Sequence, residues 1–281
     1  MISMDDIFKQ IDYLPVFNKT AQKAMQLLMQ PDTHSKEIAE VIKFDPGLTT
    51  NVLKLANSAY FAKAKEIKDV AGAVTFLGRD KMFQILTLST ASKYFQNRAK
   101  GYENTQGELW KHSITTAIIA EFVSHLEPSV NKGILFTAGL LHDIGKTVLS
   151  VWVSDLYNDI LYLVQEQGAD FLEAEKKVLG YTHSLIGGAI LQKWLFEESI
   201  VLAARHHHDP KIHKNPVVRI TKLADYLSIT MGYMTTEDNL AYKGFEELME
   251  HYKIKTKDMQ VIMVECFNLI QTIIDDFTKI N

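Results

Sequence analysis

Apolar residues recur at spacings of three and four along most of the chain, and this period leaves room for little besides helices. In FNKTAQKAMQLLMQ they fall at Phe17, Ala21, Ala24, Met25, Leu27 and Leu28, a one-sided stripe. No alternating stretch of useful length competes with it, so the chain reads as all-α. Cap signals divide the stripes. Ser35 is a candidate N-cap for KEIAEVIKF. Asp45-Pro46 sets a cap and a first-position proline ahead of GLTTNVLKLANSAYF. Gly78 separates VAGAVTFL from RDKMFQILTLSTASKYF, and the N-terminal third reads as about six short helices. The polar, turn-rich NRAKGYENTQG, residues 97–107, is the expected boundary between two helical halves, 1–100 and 107–281. Helix resumes with ELWKHSITTAIIAEFVSHL. It is expected again near 131–142, 152–168, 170–179, 183–195, 197–207, 216–230 and 256–278. Asp170 and Glu173 have capping-box spacing, and Gly180 then Thr182 reads as a helix stop followed by a new start. The stretch 232–255 carries no clear signal.

A chain of 281 residues, 47% apolar and 23% charged, can bury a substantial core. Its net charge of −4, with no long basic run, argues against general nucleic-acid binding. The segment DPGLTTNVLKLANSAYF has the outline of a helix-turn-helix, yet it offers only Lys54 as a phosphate anchor. The lone Cys266 excludes a disulfide framework within the chain and fits a reducing cytoplasm. The start MISMDDIFKQ lacks the features of a signal peptide, and no apolar run approaches the ~18 residues of a membrane span. A cytoplasmic protein without membrane contact is the expectation; the oligomeric state is open.

The chemistry-bearing residues gather in the second half. His112, His142, His183, His206, His207 and His208 account for most of the histidines. Glu108 and His112 are four apart on one expected helix and share a face. His142 and Asp143 follow the apolar run AGLL directly, where burying an unpaired charge costs several kcal/mol. Asp225 interrupts the apolar pattern of ITKLADYL. Each feature has a plain alternative. Glu108 and His112 equally describe a surface pair. The HHHD run equally describes a helix C-terminus favoured by the dipole. Asp225 equally describes a carboxylate bonded to a backbone amide. His34, His125, His213 and His251 stand apart and read as structural or surface residues. Taken together, imidazoles and carboxylates without a thiolate suit divalent Fe, Mn, Zn or Ni, and the number of donors suits two ions with a bridging carboxylate.

The ordered pattern His112, His142-Asp143, Asp225 resembles the HD superfamily of all-helical, metal-dependent phosphohydrolases. The HD-GYP branch, which hydrolyses cyclic dinucleotides, adds residues that correspond here to Glu108, Lys146, His183 and His207-His208. That resemblance implies that Lys146 contacts substrate phosphate. The closer resemblance is to the HDOD family, the HD-related output domain. It is carried by LPVFNKTAQKAMQLL, IAEVIKFDPGLTTNVLKLANSAYF and AVTFLGRDKMFQIL in the first half. LWKHSITTAIIAEFV, FTAGLLHDIGKTVL, EAEKKVLGYTHSLIGGAILQKWLF and ARHHHDP carry it in the second. It spans about 12–230 as one module and implies a C-terminal helical bundle of the HD phosphohydrolase type.

The HD-GYP substrate loop after the His-His pair is missing: HDPKIHKNPVVRI stands in its place. The family resemblance therefore implies a bacterial-type signalling module with two divalent transition metal ions, Fe or Mn favoured over Zn or Ni. It implies little or no catalysis, and a signalling protein or small nucleotide as partner. The alternative it leaves open is a metal-dependent phosphohydrolase of nucleotides or cyclic dinucleotides. The implied metal ligands are Glu108, His112, His142, Asp143, His183, His207, His208 and Asp225.

Overall fold

The computed structural model describes residue 9, residues 17–61, 66–95, 99, 102–103, 106–209, 211–233 and 244–280. Its helices are α1 (Lys19–Met29), α2 (Ser35–Ile42), α3 (Pro46–Ala56), α4 (Val70–Ala91), α5 (Glu108–Phe122), α6 (Lys132–Leu141) and α7 (Ile144–Gln165). They continue with α8 (Phe171–Leu179), α9 (His183–Lys193), α10 (Glu198–His206), α11 (Pro216–Thr230), α12 (Phe245–Tyr252) and α13 (Thr256–Ile280). Short 3-10 turns follow α4 and α5. No strand occurs among the described residues.

One local device recurs at the helix starts. The side chains of Asn18, Asp45, Asp69, Asn131, Asp170, Thr182 and Asn215 each accept a backbone N–H from the first turn. These caps satisfy donors that the helix itself leaves unpaired. Pro46 and Pro216 take first-turn positions, where the missing N–H costs nothing.

Helices α5 and α6 lie at the centre. Residues 112–120 of α5 and 133–141 of α6 are buried on every side, as expected for helices without a wet face. Their backbones nearly touch: a Cβ on Gly139 would lie 2.8 Å from the Ala117 Cα. Around them pack α10 and α11, with α7 and α9 beside these and α13 against α5. The N-terminal helices reach this bundle through α4, which packs on α6, and Thr87 and Thr137 share a buried hydrogen bond of 2.9 Å there. A second bridge is aromatic. Phe17 lies edge-on to Phe196 at 4.8 Å, and Tyr94 tilts against Trp194 at 4.6 Å. Each such pair contributes about 0.5–1.5 kcal/mol beyond its buried area. A continuous apolar core runs from Phe17 to Ile273.

Several boundaries differ from the sequence expectation. The helix expected at 152–168 begins at Ile144, so His142-Asp143 is a tight corner between two helices rather than the end of one. The cap of α2 is His34, one residue before Ser35, with Glu37 accepting the His34 N–H at 3.0 Å. Gly78 does break its helix, at φ 82° and ψ 173°. In the segment expected as a boundary, Tyr102 is fully buried and Glu103 accepts the Ala99 and Leu109 N–H groups at 2.9 and 2.7 Å. Tyr102 and Glu103 are thus packed parts of the C-terminal bundle. Within 232–255 the chain forms α12; positions 234–243 lie outside the described residues, as do most of 1–16.

Candidate metal centre

Five elements converge on one buried point. His112 comes from the middle of α5, His142 and Asp143 from the α6–α7 corner, and His183 from the first position of α9. His207 and His208 follow α10 directly, and Asp225 comes from α11. Asp143 makes the corner with φ −100° and ψ 11°. Gly145 lets α7 and α9 meet, because a Cβ there would lie 2.0 Å from the His183 carbonyl oxygen.

Seven residues form two donor groups: Asp143, His183, His207 and His208 in one, His112, His142 and Asp225 in the other. Asp143 joins them. Its Oδ1 lies 3.4 Å from His183 Nε2 and 3.6 Å from His207 Nε2. Its Oδ2 lies 3.5 Å from His112 Nε2 and 3.3 Å from His142 Nε2. Asp225 Oδ1 adds contacts of 3.1 Å to His112 and 3.6 Å to His142. Donors bound to one transition ion at about 2.0–2.2 Å stand about 2.8–3.6 Å from each other, which is the spacing found here.

The outer hydrogen bonds fix which nitrogen faces inward. His142 Nδ1 donates to the Gly139 carbonyl at 2.7 Å, His207 Nδ1 to Ala203 and Ala204, and His112 Nδ1 to Tyr233 at 2.8 Å. A carbonyl can only accept, so these Nδ1 atoms carry the proton and Nε2 is left as the ligand atom. His183 Nδ1 instead donates to the Glu175 carboxylate at 2.9 Å. Two Nε2 pairs then face each other, His112–His142 at 3.2 Å and His183–His208 at 3.1 Å. Two unprotonated nitrogens at that distance repel unless a proton or a metal ion lies between them. Asp143 Oδ1 and His207 Nε2 are buried with no hydrogen-bond partner among the described residues. The donor set therefore fits divalent metal.

Burial alone would lower the His142 pKa, but the Asp143 and Asp225 carboxylates outweigh it and push it up to about 10. The same carboxylates raise His112 against its burial. Burial would raise Asp143 and Asp225. For Asp143, His142 and Lys146 more than reverse this, and for Asp225 the cations at His142 and His112 do so; both stay well below the usual carboxylate range. Burial lowers His207, and lowers His208 further with help from the neighbouring His207 and His183.

The other residues singled out from sequence fall as follows. Glu108 is the first residue of α5, and neither donor group includes it. His206 turns away to Asp209 at 2.9 Å and stacks on His213. Lys146 is fully buried, and its Nζ donates to Asp143 Oδ2 at 2.7 Å, so it faces the bridging carboxylate and not solvent. Glu175 escaped the sequence reading. It accepts the His183 backbone N–H at 2.9 Å and the Tyr102 hydroxyl at 2.6 Å as well as the His183 ring. Its signal was present: it falls on the buried stripe Phe171, Ala174, Glu175, Leu179 of α8, where a carboxylate needs a reason.

The HDOD domain family matches residues 14–210. The chain belongs to the HDOD family. A curated protein of Treponema pallidum (strain Nichols) is 24% identical to this HDOD chain over 215 residues, 72% of the chain; the match spans 39% of that relative's length. An HDOD domain protein of Geobacter sulfurreducens shares the fold with a TM-score of 0.70 at 22% identity, over 98% of this chain and 97% of the other. A proposed phosphohydrolase of Shewanella amazonensis SB2B aligns with a TM-score of 0.72 at 20% identity, over 96% and 97%. A proposed signal transduction protein of Marinobacter aquaeolei VT8 gives 0.73 at 21%, over 97% of this chain and 64% of that one. At these identities the likeness establishes the fold. No described helix is long and apolar enough to cross a membrane.

Proposed function

We propose that this HDOD chain is a bacterial-type regulatory module with a dinuclear metal centre, Fe or Mn favoured over Zn or Ni, and little or no catalytic turnover. It would act in the cytoplasm by presenting its surface to a signalling protein or a small nucleotide. The observation that carries this reading is a full donor set that is closed off. Of the seven donors, the most exposed is His208 at 7%. Closed donor sets characterise structural ions, whereas catalytic ions keep a position open to water and substrate. When bound, a metal pair supplies charge neutralisation for the carboxylates and, where water can enter, a hydroxide near neutral pH.

A second reading, a metal-dependent phosphohydrolase of nucleotides or cyclic dinucleotides, draws support from Asp143, which offers one oxygen to each donor group as a bridging carboxylate does. Elemental analysis of anaerobically purified protein, with His142→Ala and Asp143→Ala for comparison, decides whether the centre exists. About two ions per chain, lost in both variants, supports it. Turnover assays on phosphomonoesters, phosphodiesters and cyclic dinucleotides with Mn or Fe then separate the readings. Rates in the ordinary enzyme range would overturn the regulatory one.

A further inference from the structure

We infer that the two donor groups take up metal unequally: the His183, His207, His208 group fills first, and the Lys146 ammonium occupies the other group's share of Asp143 until a second ion displaces it. The inference rests on the metal centre proposed above and concerns how that centre is regulated.

The two groups differ in donors. The first offers three imidazoles and Asp143 Oδ1, the second two imidazoles with Asp143 Oδ2 and Asp225. They also differ in what holds them. The His183 ring is fixed by Glu175, which is fixed in turn by the His183 backbone N–H and the Tyr102 hydroxyl, all within 3.0 Å and all fully buried. That group is set before any ion arrives. A carboxylate on Nδ1–H also makes the opposite nitrogen a stronger donor. Among the described residues no comparable carboxylate backs His112 or His142, whose Nδ1 atoms meet the Tyr233 and Gly139 carbonyls.

The decisive difference is Lys146. Its Nζ sits 2.7 Å from Asp143 Oδ2, the oxygen that faces His112 and His142, and not on Oδ1. The side chain is buried to the tip and stands over the Tyr102 ring at 6.0 Å. A second ion at Oδ2 must share that oxygen with a trapped ammonium or push it aside, and like charges at such a distance repel strongly in a dry interior. Lys146 thereby makes a one-ion form stable by itself. Occupancy of the second position becomes a graded variable that a regulatory module can report.

The test is a titration of metal-free full-length protein with Mn2+ under anaerobic conditions, followed by calorimetry and by electron paramagnetic resonance. Wild type should load in two steps separated by about tenfold or more in affinity. The first step should give the spectrum of an isolated ion and the second an exchange-coupled pair. Lys146→Met should tighten the second step by about tenfold and draw the two steps together. Glu175→Gln should weaken the first step by about 10–100-fold. If Lys146→Met does not fold, as judged by circular dichroism of the metal-free form, Lys146→Gln removes the charge and keeps a donor, and the same shift is expected. Two ions entering wild type together with equal affinity would overturn the inference and leave the metal centre standing. An unmoved second step in a folded Lys146 variant would do the same. No Mn2+ uptake at all would remove both.

Discussion

Replacing Gly145 by alanine would place a methyl carbon 2.0 Å from the His183 carbonyl oxygen and 2.7 Å from the Gly187 nitrogen. Carbon and oxygen in van der Waals contact stand about 3.3 Å apart, so α7 and α9 would have to separate by roughly 1 Å. Both obstacles are backbone atoms, and no side chain can swing away to make room. Overpacking of this kind costs about 1–3 kcal/mol, and with rigid neighbours the upper end applies. The same separation opens the contact between Asp143 Oδ1 and His183 Nε2, now 3.4 Å. Metal donors tolerate displacements of only about 0.2 Å, so metal retention should fall with stability. Gly187→Ala is the matched control on the facing helix. Its Cβ would meet the Gly145 nitrogen at 3.3 Å and the His142 carbonyl at 3.5 Å. That crowding is mild, and losing a helix glycine returns about 0.5–1 kcal/mol, so the net change should stay within about 1 kcal/mol. Urea denaturation of the metal-free proteins measures the first effect and elemental analysis of the purified proteins the second. If Gly145→Ala stays within about 0.5 kcal/mol of wild type and keeps its full metal content, the close approach of α7 to α9 does not build the centre.

Two further outcomes follow from the electrostatics. With His142 pushed up to about 10, its imidazole carries an extra proton in the metal-free protein at neutral pH; the carboxylates shift His112 in the same direction, whereas burial shifts His207 and His208 in the opposite one. Metal uptake by the His112–His142 group should therefore release protons near pH 7, and its affinity should rise with pH until about 10 and then level off. Calorimetry in buffers of different ionisation enthalpy reads the release, and a pH-independent affinity between 7 and 9, about the middle of that window, would contradict it. Asp45 caps α3 by accepting the Leu48 N–H at 2.9 Å, and that bond and the Asn18 amide hold its pKa down. A lowered folded pKa means the contribution is present above the unfolded carboxylate value of about 3.9 and fades as pH falls through the folded one. Asp45→Ala should thus cost about 1 kcal/mol at neutral pH, with the gap to wild type closing in acid. An unchanged gap in thermal melts at low pH would refute this.

Much of the architecture was legible because helices announce themselves locally. The cap at Asp45-Pro46, the start at Thr182, the stop at Gly180 and the break at Gly78 depend on side chains within a few residues, and each stands where the pattern put it. The misread stretches are those whose partners lie far along the chain. Tyr102 looked like part of a polar connector because its partner Glu175 lies 73 residues away. The helix expected from 152 starts at Ile144, and its glycine at 145 is required by a contact with His183 that lies 38 positions along the chain.

The same division runs through the metal centre. Residue types and order in the sequence determined that the chain is helical, and that imidazoles and carboxylates in this order suit divalent ions. Packing decided the rest. The resemblance already favoured His207-His208 over His206, and the convergence of five elements supplies the physical reason: the pair enters the donor set while His206 turns to Asp209, three residues on. Only the three-dimensional arrangement leaves Glu108 outside both donor groups and turns Lys146 onto Asp143. Local sequence sets dihedral angles and caps over a single turn. Which polar atoms share a dry interior depends on contacts between residues tens to more than a hundred positions apart, and those exist only once the helices have packed.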